Sequence, residues 1–156
     1  VRARTVDMRL AAAGIELTKA AAPFANYVPV AIAGNLAFVS GQVTVWNGEF
    51  RFKGKLGKEF SVEEGQQAAR LCGLNIVAQL KAALGGDLDR VKRVVKLGVF
   101  VNSVADFTDQ PKVANGVSDL MVEVFGDAGK HARFAVGTNV LPRDVAVEVD
   151  AVVEIA

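Results

Sequence analysis

Apolar residues recur along the chain with two periods, and the switches between them mark the predicted elements. From Val62 onward, Ala69, Leu71, Cys72, Ile76, Leu80 and Leu84 follow helical spacing, which predicts a long helix over about 62–84. Ser61-Val62-Glu63-Glu64 offers a capping box at its start and Gly85-Gly86 a stop. Val113, Val117, Leu120, Met121 and Val124 form the stripe of a second helix. Thr108 or Asp109 is its expected cap, Pro111 is tolerated in its first turn, and Gly126 ends it. A shorter helix, capped by Thr5, is predicted to about Ala13.

Alternation with period two marks the strands. Segments 28–33 and 36–39 flank Gly34-Asn35, and 43–46 and 49–52 flank Asn47-Gly48; both pairs read as hairpins. A Val-rich strand follows at about 90–103, and two more are predicted at 132–138 and 145–155. In the last of these, Val145, Val147, Val149, Ala151, Val153 and Ile155 take one face, while Glu148 and Asp150 take the other.

After the N-terminal helix the order is therefore β-β-(β)-α-β-α-β-β. That pattern predicts a two-layer α+β architecture, a mixed sheet with two long helices on one face. The other sheet face is then bare and rich in Val, Ala and Phe. Soluble monomers rarely leave such a patch open, so association with other copies in a closed ring is expected. The 156 residues fit one domain spanning 1–156.

A net charge of +1 argues against a dedicated nucleic-acid surface. No apolar run reaches the ~20 residues that span a bilayer. Gly14 and Glu16 interrupt the N-terminal apolar stretch, which argues against a secretory leader, and Asp7 and Glu16 argue against an Arg-rich transit peptide beginning at Val1. The lone Cys72 excludes an internal disulfide, and a reducing cytoplasm is the expected location. No second His or Cys stands at ligand spacing to His131, so no metal site is expected, and no phosphate-cradling glycine loop suggests a cofactor.

The chemistry concentrates at the C-terminal end. Two acids on an apolar strand are costly if buried and unpaired, so their face is either wet or turned to a polar cleft. Arg133 suits such a cleft, because its fork of donors matches a carboxylate. It could equally form a structural bridge to Glu148 or Asp150. His131, the sole histidine, is expected to point to the face opposite Arg133.

Several motifs together resemble a known family. They are Gly34-Asn35-Leu36 with Val39-Ser40-Gly41-Gln42, the helix segment Ala68-Ala69-Arg70-Leu71-Cys72, and Val99-Phe100-Val101 with Asp106-Phe107. Asn115 follows, then Ala132-Arg133-Phe134-Ala135-Val136, Leu141-Pro142 and Val147-Glu148-Val149. From Tyr27 to Ile155 the chain resembles the RidA/YjgF family of reactive intermediate deaminases, also called endoribonuclease L-PSP-like. The stretches Asp109–Val113 and Phe125–Gly129 place it in a longer subgroup.

The resemblance implies a chorismate-mutase-like fold, a homotrimer, and ligand clefts between neighbouring subunits. It implies cofactor-independent hydrolysis of enamines and imines to 2-keto acids. Arg133 would hold the substrate carboxylate and Glu148 would position water. Tyr27, Ser40, Gly41, Asn115 and Pro142 would line or support the cleft. Family founders carry cysteine two residues after the arginine, where this chain has Ala135. A non-catalytic protein that binds small carboxylates is the alternative reading, and an endoribonuclease is disfavoured by the single histidine and the near-neutral charge.

Overall fold

The computed structural model describes residues 4–23 and 25–156, so Val1, where a transit peptide would begin, lies outside the described residues. Helix α1 (Thr5–Ala12) opens the chain, followed by strands β1 (Val30–Ala33), β2 (Leu36–Gln42), β3 (Val45–Trp46) and β4 (Glu49–Phe50). Then come α2 (Val62–Ala83), β5 (Val91–Asn102), α3 (Gln110–Phe125), β6 (Ala132–Thr138) and β7 (Val147–Ile155). The main sheet has the order β1-β2-β7-β5-β6, and β3-β4 is a separate hairpin. The β5–β6 pair is parallel because α3 carries the chain back between them; the other neighbours are antiparallel. Among the described residues no helix is long and apolar enough to cross a membrane.

The expected elements are present; several are shorter at their ends, whereas β2 runs on through Ser40 and Gly41 to Gln42 instead of ending at Val39. Gly34 turns the first hairpin at φ +61°, and Asn47 and Gly48 turn the second with both φ values positive. The capping box of α2 forms reciprocally: Glu64 N donates to Ser61 Oγ at 3.2 Å and Ser61 N to Glu64 Oε1 at 3.0 Å. Thr5 does not cap α1. It is the first helical residue, and the carboxylate of Asp89 accepts from Thr5 N and Val6 N at 2.8 and 2.9 Å. A distant side chain thus fills the role assigned to a local one. Asp109 holds the cap position of α3 but makes no capping bond.

Helices α2 and α3 cover one face of the sheet. Val39, Leu97, Val99, Val149 and Ala151 pack there against Ile76, Leu80, Val117 and Leu120, all nearly free of solvent. The two helices cross closely enough to need glycine. A Cβ on Gly116 would stand 2.1 Å from the Gln66 carbonyl oxygen, and one on Gly73 would stand 2.7 Å from Leu120. The opposite face carries Phe38, Phe100 and Val136, each more than a third exposed, interleaved with Lys96, Glu148, Asp150 and Glu154. It is apolar, as expected, but more charged than the sequence suggested.

Gly116→Ala tests the crossing. Helix propensity alone favours alanine by ~1 kcal/mol in a helix interior. The Gln66 carbonyl forces the backbones apart, so the net effect is expected to be a loss of about 2 kcal/mol in urea unfolding. A stabilised Gly116→Ala protein would contradict the packing described.

Candidate active site

A cavity of about 270 Å³ opens where β2, β7, the 142–144 corner and the N-terminal arm meet. Its lining includes Tyr27, Ser40, Gly41, Pro142 and Glu148, together with Arg143, Asn75, Gln79 and the arm residues Ala21, Ala22, Pro23 and Ala25.

Strand β2 delivers Ser40 and Gly41 through a bulge. Val39 pairs with Ala151 and Gln42 with Val149, so β2 spends one residue more than β7 over the same step. Ser40 is tied back by its backbone N and its Oγ, both donating to the Pro29 carbonyl at 2.9 and 3.1 Å. The bulge brings the backbone against the Glu148 carboxylate. A Cβ on Gly41 would lie 2.2 Å from Glu148 Oε2, so a side chain there would displace the carboxylate from this position.

The corner after Leu141 is held by a buried polar hub. Arg143 and Asp144 both adopt left-handed backbone, with φ of +59° and +57°. For non-glycine residues this costs roughly 1–2 kcal/mol each. Asn102, fully buried, opposes that cost by donating to Asp144 Oδ1 at 3.0 Å, to Val145 O at 3.1 Å and to Gly54 O at 3.2 Å. Lys55 Nζ donates to Asn102 Oδ1 at 2.6 Å and also reaches the Asn139 carbonyl. The outcome is that the Arg143 guanidinium sits 5.4 Å from the centre of the Phe50 ring, at the cavity wall.

Glu148 is half-buried, and among the described residues no donor is within hydrogen-bond reach of its carboxylate. Burial, and after it the charge of Asp150, raises its pKa above the usual glutamate range. A group of that kind can take and return a proton nearer neutrality than an exposed glutamate. Cys72 lies fully buried on α2, its Sγ 3.3 Å from the Val147 carbonyl oxygen. Burial and the nearby Glu148 charge push its thiol well up, which makes it an inert core residue.

Arg133 and Asn115 do not line this cavity. Register pairs Arg133 with Leu97, whose partner on β7 is Ala151, so Arg133 shares the helix-covered face. Glu148 pairs with Phe100 on the other face, and Asp150 with Gly98. A structural bridge from Arg133 to Glu148 or Asp150 within one chain is therefore ruled out by the alternation of side chains. Arg133 instead donates Nη1 to Asn115 Oδ1 at 2.9 Å and to Ser118 Oγ at 3.0 Å, and Nη2 to the Pro111 carbonyl at 3.0 Å. Among the described residues it has no carboxylate partner.

His131 is on the same face as Arg133, not the opposite one, because residues two apart in an extended chain share a side. Its Nδ1 donates to Gly129 O at 2.6 Å, which leaves Nε2 to accept from the Ser118 hydroxyl at 2.8 Å. The histidine thereby orients the hydroxyl that receives Arg133.

Five of the seven sequence-derived site residues thus surround one cavity, and the other two form a separate pair. Sequence reasoning missed Arg143, Asn75, Gln79 and the arm. Asn75 and Gln79 left a signal, being polar residues one turn apart inside the apolar stripe of α2. Arg143 left none beyond its place after Pro142. Among the described residues, no group of three or more His, Cys, Asp or Glu side chains gathers to hold a metal.

The Glu148 environment gives a pH prediction. A raised folded-state pKa means the native state holds the proton more tightly than the unfolded chain does. The stability this adds is present at low pH and is lost as pH rises through the folded value. Asp150→Asn removes the repulsion and keeps the burial, so the Glu148 carboxyl is expected to titrate at lower pH in carbon-13 NMR, and the acid limb of any Glu148-dependent activity should move the same way. An unchanged titration would assign the whole shift to burial.

Residues 7–155 match the family described as "YjgF/chorismate_mutase-like, putative endoribonuclease". Protein TCP17 of Trypanosoma cruzi is 55% identical over 143 residues, covering 91% of this chain and 89% of its own. The crystal structure of Atu1372 from Agrobacterium tumefaciens, a protein of unknown function, superposes with a TM-score of 0.91 at 47% identity, covering 97% of this chain and 92% of that one. Escherichia coli TdcF with bound serine superposes with a TM-score of 0.60 at 25% identity, covering 90% and 94%. With a match that runs almost end to end and a mixed sheet backed by two long helices, the chain belongs to the YjgF/RidA family.

Proposed function

We propose that the protein hydrolyses reactive enamine and imine metabolites to 2-keto acids, without a cofactor, in a cleft completed between copies of the chain. The observation that carries this reading is the Glu148 carboxylate: half-buried, unpaired among the described residues, raised in pKa, and seated on Gly41 at the wall of a small-molecule cavity. The exposed Phe38, Phe100 and Val136 on the uncovered sheet face support self-association, and a closed trimer would bury them. Such an assembly can bring Arg133 and Asn115 of one copy to the cavity of its neighbour.

The chemistry asks little of the protein. An enamine tautomerises to the imine, gaining a proton on carbon and losing one from nitrogen. Water then adds to the imine carbon while Glu148 takes one of its protons and passes it to nitrogen, giving the carbinolamine. The C–N bond then breaks as Glu148 relays the remaining hydroxyl proton to the departing nitrogen, which leaves as ammonia while the C=O bond of the keto acid forms. The products are one 2-keto acid and one ammonia for each imine and water consumed. Arg133 fixes the substrate carboxylate with paired donors, which supplies orientation. Glu148 supplies general-base assistance, an effect of ~10²–10⁴-fold. TdcF, a similar structure, holds serine, which bears a carboxylate of the kind the proposed Arg133 clamp would bind.

Ala135, where family founders have cysteine, keeps open a second reading, a carboxylate-binding protein without turnover, and leaves the arginine clamp in place. The endoribonuclease reading fits less well, since the sole histidine is engaged with Gly129 and Ser118.

Two variants separate these readings. Arg133→Lys keeps the charge and loses the fork, so kcat/KM for an imine generated in situ should fall by more than about 10-fold while the protein stays folded. Glu148→Gln should bind the 2-keto acid product at least as tightly as the parent and turn substrate over ~10²–10⁴-fold more slowly. An Arg133→Lys protein equal to the parent in rate and affinity would defeat the deaminase reading. Binding without turnover in the parent would favour the carboxylate-binding one.

A further inference from the structure

We infer that the cleft selects 2-imino acids with a bulky apolar side chain, branched aliphatic or aromatic, and that the N-terminal arm, residues 15–23, builds the compartment that receives it. This deepens the deaminase reading and rests on it.

The arm has no regular structure, yet it is pinned by specific side chains. Thr18 Oγ1 donates to Asn75 Oδ1 at 2.6 Å in a buried contact. Gln79 Nε2 donates to the Ala21 carbonyl at 2.8 Å, and Lys19 N donates to Asn47 Oδ1 at 2.9 Å. The Asn75 amide also donates to the carbonyls of Val43 and Val45 at 3.1 and 2.7 Å. Asn75 is 3% exposed and Gln79 4%, one turn apart on α2. Buried amides at such positions are costly unless bonded, and apolar residues would fill the same space without that cost. What these two amides accomplish is to tie the arm and the 43–45 segment, both of which line one cavity, to helix α2.

The walls so placed are apolar and small. Ala21, Ala22 and Pro23 face the cavity from the arm, and Val43, Val45 and Phe50 line it from the β3–β4 side. The groups suited to the reacting centre, Ser40, Gly41 and Glu148, come from β2 and β7. The cavity of one copy, about 270 Å³, extends from the reacting centre to the walls set by the arm and the β3–β4 side. A substrate whose imine sits at Glu148, with its carboxylate on Arg133 of the neighbouring copy, would leave the arm-lined part to its side chain. Each methylene buried there is worth roughly fourfold in kcat/KM.

The test generates imines in situ with an amino-acid oxidase from alanine, leucine and phenylalanine and follows their decay. The parent is expected to favour the leucine- or phenylalanine-derived imine over the alanine-derived one by ~10-fold or more. Val43→Phe, which fills the compartment, should lower that ratio at least several-fold. Gln79→Ala, which frees the Ala21 carbonyl and loosens the wall, should lower it without adding bulk. In parallel, calorimetry compares 4-methyl-2-oxopentanoate with pyruvate as product probes. Turnover of all imines at equal rates, with a ratio unmoved by either variant, overturns the compartment and leaves the deaminase reading standing. Tighter binding of the branched keto acid with no turnover overturns the deaminase reading and supports the compartment. Neither binding nor turnover defeats both.

Discussion

Side-chain alternation across three neighbouring strands governs what this protein can do. The row Ala151–Leu97–Arg133 lies under the helices, and the row Glu148–Phe100–Val136 lies on the uncovered face. A continuous sheet therefore stands between the arginine and the glutamate of one chain. Under the proposed function each copy would carry two half-sites, a cavity with a carboxylate and a guanidinium backed by Asn115, Ser118 and His131. Under the proposed function, assembly is part of the catalytic apparatus and not only a cover for apolar surface. The same alternation explains the restrained electrostatics of Glu148, which has Asp150 two residues away on its own face and no cation from Arg133 to lower its pKa.

The scaffold spends local stability where the cavity needs shape. The β2 bulge, the left-handed Arg143-Asp144 pair and the glycine at Gly41 are each less favourable than regular strand or ordinary backbone. Each is fixed by nearby polar groups: Pro29 O for Ser40, and the Asn102 hub for the corner. Backbone strain of this kind persists only where the surroundings over-determine it, and here it adjoins the cavity. The rigid base beneath is the α2–α3 crossing, where Gly73 and Gly116 trade helix propensity for close approach.

Much of the fold was legible because it follows local rules. Capping residues, Gly-Asn and Asn-Gly turns and the two hydrophobic periods located nearly every element, and a single helical layer implied the open sheet face. What failed to show depends on contacts distant in sequence. Asp89 replaces Thr5 as the cap of α1 across more than eighty positions. The face relation of Arg133 to Glu148 requires the register of β5, β6 and β7 together, which no single-strand pattern contains. The side that His131 takes, by contrast, follows from alternation along a single extended segment and is carried by the sequence itself. The arm has neither period nor motif, so only the tertiary contacts of Asn75 and Gln79 reveal its place. The candidate residues themselves came mainly from resemblance; physical patterning alone singled out Arg133, Glu148 and Asp150.

The central claim, a site shared between copies, has a direct measurement. Arg133→Ala and Glu148→Gln subunits, each inactive alone, are co-expressed with different tags and the mixed assemblies isolated. In a closed trimer with head-to-tail interfaces, every mixed assembly contains one site with an intact arginine and an intact glutamate, so activity should return to about one-third of the parent. Mixed assemblies that form and remain as inactive as the separate variants would contradict the account.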